Sequence, residues 1–312
     1  MNTDRLLVLG VTASGKGGLA FDLADTMDAE IISVDSMKVY RRMDIGTAKP
    51  SKQARERIKY HLIDIVEPSE AFSVGSFLET AQQAIKQIEN RKKKIIAVGG
   101  TALYIKALLY GLFEGPGTDE KIRSELRAIA DAGGLGELYR QLLIIDPVAA
   151  GRISPNDAKR IIRALEVYKI SGKPISSLQQ QWTGRQTGGW TIIGLRRQKS
   201  IESKNINKRV KKMLADGLVD EVKKLLAEDK PLSKQERCAI GYAEIIDYLN
   251  GKTNLEDAVE LIKKNSRRLA KSQRTWFKTF RDVNWLDIGE EEGPETILNR
   301  TMSLLTNISA GS

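Results

Sequence analysis

The chain has 312 residues, 41% hydrophobic and 29% charged, with one cysteine, one histidine and a formal net charge of +10. That length supports a sizeable core, expected as two subdomains, and the composition is that of a soluble globular protein. Cys238 alone excludes intrachain disulfides and cysteine-based zinc sites, His61 alone excludes a multi-histidine metal centre, and no apolar run approaches membrane-spanning length.

Leu6-Leu7-Val8-Leu9 reads as a buried strand. Behind it, Gly10-Val11-Thr12-Ala13-Ser14-Gly15-Lys16-Gly17 fits the phosphate-loop pattern G-x-x-x-x-G-K-[ST] except at its last position. There Gly17 stands where a hydroxyl would normally ligate magnesium. Leu19, Ala20, Leu23 and Ala24 then recur at helical spacing. The backbone N–H groups of such a loop, with Lys16 and the helix N-terminus, cradle a di- or triphosphate. Because the loop begins close to Met1, no signal peptide is expected.

Glu30 to Val34 gives a short strand that ends at Asp35. The Asp35 carboxylate is expected to face the phosphate loop, as a general base or as an organiser of metal-bound water. Its plainer role is a helix N-cap. Ile95 to Val98 gives another strand, ending in Gly99-Gly100-Thr101, where glycines admit a substrate close to the backbone and Thr101 offers a hydroxyl. The plainer reading there is a tight turn. A phosphate loop followed by alternating strands and helices predicts an α/β fold: a P-loop NTPase-like parallel sheet with helices on both faces and ligands beyond the strand carboxyl ends. His61, Asp64 and Asp146-Pro147 are read as structural.

From about 115 to 191 the pattern is helical. Ser154-Pro155-Asn156-Asp157 starts a helix through Arg160, Arg163, Leu165 and Val167, which Gly172-Lys173-Pro174 stops. Residues 184–189 read as a flexible return to the core. The expected organisation is therefore a core of residues 1–114 and 192–312 with a helical insertion over 115–191.

Between Arg196 and Trp285, 22 Lys/Arg face 13 Asp/Glu, a surplus of nine in under a third of the chain. Residues 261–281 hold eight bases and no acid. On a helix, Lys263, Arg267, Lys271, Arg274, Lys278 and Arg281 share one face, while Ile262, Leu269, Trp276 and Phe280 lie opposite and can dock on a core. A one-sign stripe points to a nucleic-acid backbone, where an ordinary solvated face would mix signs.

Several segments together resemble the tRNA dimethylallyltransferases. They are Gly10 to Lys16, Asp35-Ser36-Met37-Lys38-Val39-Tyr40, Met43 to Pro50, Val98 to Tyr104, Arg160 to Tyr168, Ala239-Ile240-Gly241-Tyr242 and Gln273-Arg274-Thr275-Trp276-Phe277. They cover nearly the whole chain in order. The chain departs from the family pattern at Val11, Gly17, Lys38 and Asn205, where proline, threonine or serine, glutamine and arginine are usual.

The resemblance implies transfer of a dimethylallyl group from dimethylallyl diphosphate to N6 of the adenosine beside the tRNA anticodon, with Mg²⁺ as cofactor. It implies that Asp35 takes the N6 proton and Thr101 positions the adenosine. Gly10, Thr12, Ala13, Ser14, Gly15, Lys16, Gly17 and Arg209 would hold the diphosphate. The implied tRNA contacts are Asp35, Ser36, Met37, Lys38, Thr101, Arg123, Lys159, Arg160, Arg163, Cys238, Ala239, Ile240, Gly241, Tyr242, Lys271, Gln273, Arg274, Trp276 and Lys278. No residue is assigned as a direct metal ligand, and a cytoplasmic monomer without membrane attachment is expected. Three alternatives stay open at this point: a prenyltransferase of free adenine nucleotides, a small-molecule P-loop kinase and a non-catalytic RNA-binding relative.

Overall fold

The computed structural model describes residues 4–112, 115–179 and 189–310. The chain divides into two compact units, one of Met1–Leu109 with Gln186–Ser312 and one of Tyr110–Arg185. Most of the return segment expected at 184–189 lies outside the described residues.

The first unit is built on six parallel strands: β1 (Arg5–Gly10), β2 (Ala29–Val34), β3 (Tyr60–His61), β4 (Lys94–Gly99), β5 (Thr191–Arg196) and β6 (Val283–Asp287). Their order is β3-β2-β4-β1-β5-β6. Leu6 to Leu9 and Ile31 to Val34, apart from Ser33, are apolar, and all are buried, as strands covered on both faces require. The helices of the first half are α1 (Lys16–Met27), α2 (Lys52–Arg57), α3 (Val74–Asn90) and α4 (Ala102–Tyr110). Leu19, Ala20, Leu23 and Ala24 of α1 pack with Leu6, Val8 and Ile96 in one core cluster.

Register explains where the site lies. Leu9 of β1 and Val34 of β2 both pair with Gly99 of the intervening β4. A Cβ on Gly99 would stand 1.9 Å from the Val34 carbonyl oxygen, so only glycine lets these strands meet there. The segments that leave the three strand ends, at Gly10, Asp35 and Gly100-Thr101, therefore emerge side by side, where parallel α/β sheets bind ligands.

The second unit is helical: α5 (Glu120–Ile129), a kink at Ala130–Gly134 in which Gly133 takes left-handed backbone (φ 87°), α6 (Leu135–Ile145), α7 (Pro147–Ala150), α8 (Ala158–Ser171) and α9 (Ile175–Leu178). Leu126, Leu138, Leu142, Ile161 and Leu165 form its core. The Asp157 side chain caps α8 by accepting from the Arg160 amide at 3.1 Å, and Gly172 ends it in the left-handed conformation. Asp146 caps α7, accepting from the amides of Ala149 (2.9 Å) and Ser176 (2.8 Å).

The chain then returns to the first unit with α10 (Lys199–Ala215), α11 (Leu218–Leu226), α12 (Lys234–Arg237), α13 (Tyr242–Leu249), α14 (Leu255–Phe277) and α15 (Pro294–Ala310). The helix expected across 261–281 thus starts earlier and stops at Phe277, leaving Arg281 beyond its end. Among the described residues no helix is long and apolar enough to cross a membrane.

Candidate active site

A cavity of about 920 Å³ opens beyond the strand ends of the first unit. Its floor is the phosphate loop. Ala13 (φ 60°) and Gly15 (φ 95°) take left-handed backbone, which turns successive N–H groups toward one side and makes an anion-binding concavity. Only the glycine does so without steric cost. A non-glycine residue held in this conformation stores strain of a kind that clusters at ligand-binding sites.

Lys16 extends from the loop, its Nζ donating to the Val11 carbonyl at 3.1 Å. Arg209 reaches in from α10 and donates from Nη1 to the Thr12 hydroxyl at 3.2 Å. Lys38 lines the same space from the turn after β2. Burial above all, with the neighbouring Arg209 and Lys38, brings the Lys16 ammonium down to about 7 against the opposing pull of Asp35. Lys38 and Arg209 are likewise lowered by burial, and Asp35 supports the charged form of both. Among the described residues Asp35 is the one carboxylate on the cavity wall. Three cations facing one carboxylate in a desolvated cavity are an uncompensated charge that an anion relieves.

Asp35 and Thr101 meet through the turn at Ser36. Asp35 Oδ1 accepts from the amides of Met37 (2.9 Å) and Lys38 (3.3 Å), so its cap-like bonds serve a turn and no helix begins there. Oδ2 takes no hydrogen bond among the described residues. Thr101 Oγ1 accepts from the Ser36 amide at 3.1 Å and donates its own proton to Ser36 Oγ over a long 3.5 Å contact, which a closer acceptor on a substrate would displace. The wall above them is partly apolar, with Met37, Ile206, Val210, Met213, Leu269 and Trp276.

The expected site residues divide three ways. Residues 12–17, 35–38, Thr101, Arg209, Cys238, Ala239, Ile240, Tyr242, Gln273 and Trp276 line the cavity. Gly10, Gly241, Lys271, Arg274 and Lys278 belong to the same unit but do not line it. Arg123, Lys159, Arg160 and Arg163 lie in the second unit. There Arg123 Nε (2.9 Å) and Arg163 Nη1 (2.7 Å) grip the fully buried Glu166, and Arg163 also donates to the carbonyls of Pro116 and Gly117. Lys159 and Arg160 are exposed. The basic stripe of α14 is less free than its composition suggests. Lys263 pairs with Glu260, Arg267 donates to Asn207, and Arg274 pairs with the buried Glu202 of α10. Leu269, expected on the core side, is 41% exposed and lines the cavity instead.

Four further residues build the site from behind; Glu221 and Arg197 carry no local sequence signal, whereas Lys49 falls in the Met43 to Pro50 segment and Asn205 is one of the departures from the family pattern. Glu221 of α11 accepts from the amides of Asp44 (2.9 Å), Ile45 (2.8 Å) and Gly46 (3.1 Å) and from the Tyr242 hydroxyl (2.6 Å). It thereby ties the 44–46 turn to the segment bearing Tyr242. Lys49, almost fully buried, bonds Asp44, Asp64 and the Tyr40 carbonyl. Arg197 braces the outside of the phosphate loop, donating to the carbonyls of Ser14 (3.1 Å) and Gly289 (2.7 Å). Asn205 Nδ2 lies 3.4 Å from the Ala13 carbonyl, touching the loop where an arginine would have offered charge. His61 bonds Glu30 at 2.6 Å in the sheet, as a structural histidine.

Residues 38–280 match the family described as IPP transferase. The tRNA dimethylallyltransferase of Geobacter metallireducens is 44% identical over 286 residues, 91% of this chain and 93% of its own. That of Caldanaerobacter subterraneus is 43% identical over 292 residues, 91% of this chain and 92% of its own. Among solved structures, the tRNA isopentenylpyrophosphate transferase of Bacillus halodurans covers 98% of both chains at 38% identity and a TM-score of 0.67. A eukaryotic dimethylallyltransferase described as acting on tRNA covers 98% of this chain and 79% of its own, at 27% identity and a TM-score of 0.80. With a family match running from the turn after β2 to beyond the end of α14, and relatives above 40% identity over nine-tenths of its length, the chain belongs to the IPP transferase family.

Proposed function

We infer that this protein is a tRNA dimethylallyltransferase, moving a dimethylallyl group from dimethylallyl diphosphate to N6 of the adenosine beside the tRNA anticodon. The observation that carries the reading is the cavity in which Lys16, Lys38 and Arg209 face the single carboxylate Asp35. Such a site attracts a compact polyanion and keeps one base beside it. Because the substrate is tRNA, the place of action is the cytoplasm. One chain supplies the whole cavity from its first unit, which suits a monomer.

The diphosphate rests on the loop amides of residues 13–17, Lys16 and Arg209. As the allylic C–O bond breaks, the electron pair leaves with the diphosphate, and these donors meet the growing negative charge. The adenine N6 forms the new bond to the allylic carbon. An exocyclic amine is a weak nucleophile, so the Asp35 carboxylate takes its proton as the bond forms. Thr101 orients the adenosine with its hydroxyl proton. The target base must be extruded from its stack to reach this depth, and the partly apolar wall excludes water from the allylic cation.

Among the described residues no cluster of three His, Cys, Asp or Glu side chains could hold a metal. A cavity with one carboxylate and the Thr12 and Ser14 hydroxyls fits a Mg²⁺ held mainly by diphosphate oxygens and water, with Asp35 reached through water. When bound, the ion would neutralise charge on the leaving diphosphate.

The test is to incubate the protein with labelled dimethylallyl diphosphate and either unmodified tRNA or AMP, and separately with ATP alone. Label is expected in tRNA and lost in Asp35→Ala with the fold intact. Label in AMP alone, or phosphate release from ATP alone, would replace this reading by a nucleotide prenyltransferase or a kinase.

A further inference from the structure

We propose that Gln273 is the positioning residue that holds the donor loop and the acceptor loop at reacting distance, and that it is not a tRNA contact. This rests on the function proposed above. Gln273 sits on α14, between the cationic residues Lys271 and Arg274, yet it is only 8% exposed and shares the buried face with Ala270 and Phe277.

Both ends of its amide are committed inside the protein. Oε1 accepts from the Thr12 amide of the phosphate loop at 2.8 Å, and Nε2 donates to the Gly100 carbonyl at 2.9 Å. The partners fix which end is which, since an N–H needs the amide oxygen and a carbonyl needs the NH₂. One side chain therefore spans the loop whose Thr12 hydroxyl meets Arg209 and the loop that ends in Thr101.

A second observation points the same way. A Cβ on Gly100 would stand 2.5 Å from Gln273 Nε2, so the absence of a side chain at position 100 is what admits the amide. The family-like Gly99-Gly100-Thr101 turn thus has two uses: Gly99 lets the strands meet, and Gly100 receives this bridge.

The consequence is geometric. Transfer requires N6, the allylic carbon and the Asp35 carboxylate to be aligned, and misplacement by about 1 Å costs on the order of 100-fold in rate. Removing the bridge also leaves the Thr12 N–H and the Gly100 carbonyl without partners, so the two loops separate or draw in water.

Gln273→Met, near-equal in volume, removes both bonds, and Gly100→Ala independently displaces the amide by its Cβ. Both variants and the wild type are assayed for kcat, donor KM, tRNA Kd by filter binding, and melting temperature. The expected result is a kcat lowered at least about tenfold in both variants, with tRNA Kd within about twofold of wild type, because alignment is lost while docking is kept. A tRNA Kd weakened about tenfold with kcat retained at saturating tRNA would make Gln273 a tRNA contact and overturn the proposal. So would a kcat within about twofold of wild type in a variant that melts normally. If the wild type itself fails to prenylate tRNA, the functional reading falls first and this inference with it.

Discussion

If Lys16 holds the diphosphate as proposed, its ammonium, lowered to about 7, should make donor binding depend on pH. In the ligand-free cavity burial and the neighbouring Arg209 and Lys38 favour the neutral amine, and Asp35 alone opposes them. A bound diphosphate reverses that balance and favours the ammonium. Above about pH 7 binding must therefore take up a proton, and affinity falls as pH rises, approaching tenfold per unit. Calorimetry with a non-reactive alkyl diphosphate, in buffers of different ionisation enthalpy, reads both quantities. Proton uptake near one per site at about pH 8 is expected, and an affinity flat across that range would refute the assignment. Lys16→Arg, which keeps its charge, should flatten the profile. At this scale the site was legible wherever its residues sit close together in the chain: the loop, Asp35 and Thr101 each follow a strand and could be read from local pattern. Glu221, Arg197 and the bonds of Gln273 were not legible. Their partners in the N-terminal half of the chain lie 175 to 177 residues from Glu221, 183 from Arg197, and 173 and 261 from Gln273, and no periodicity encodes a contact at that separation.

At the scale of elements, α1 begins with an unusual glycine pair, and Gly17 replaces the hydroxyl that commonly serves magnesium. A Cβ built at Gly17 meets nothing within 4 Å, so serine fits there without displacing a neighbour. If the wild-type metal is held mainly by diphosphate and water, Gly17→Ser adds a ligand and tightens Mg²⁺ binding. Calorimetric titration of Mg²⁺ into the complex with a non-reactive alkyl diphosphate should show the tighter affinity, and the half-saturating Mg²⁺ for transfer should fall. An unchanged metal affinity would mean that position 17 does not face the ion. Long elements with strong pattern were readable: α1 by its apolar spacing, α8 by Asp157 and Gly172, and the main body of α14. β3 spans two residues, and β6 has only Leu286 fully buried, so neither offered an apolar run to detect. The stripe on α14 was readable as charge but not as pairing, since Glu202 comes from another helix.

For the molecule as a whole, the +10 charge suits a tRNA partner, and internal pairing separates the cations that remain available for its phosphates from those that do not. Phosphate contacts release counterions, so log affinity falls linearly with log salt, with a slope of roughly 0.7 to 0.9 per phosphate neutralised. Lys271 and Lys278 are exposed, whereas Arg274 holds a carboxylate that is itself buried. Charge counts alone would treat the three alike, but their surroundings separate them. Lys271→Ala and Lys278→Ala should each weaken binding of an anticodon stem-loop RNA and flatten the salt slope by about 1, with melting unchanged. Arg274→Ala should instead lower the melting temperature, because Glu202 is left buried without its partner, and should change the salt slope little. Fluorescence anisotropy across a salt series, beside thermal melting of each variant, distinguishes the two effects. An Arg274→Ala variant that melts normally and loses the same slope as the lysine variants would show that its guanidinium leaves Glu202 to reach phosphate. Lysine variants with an unaltered slope would place the tRNA-gripping surface away from α14.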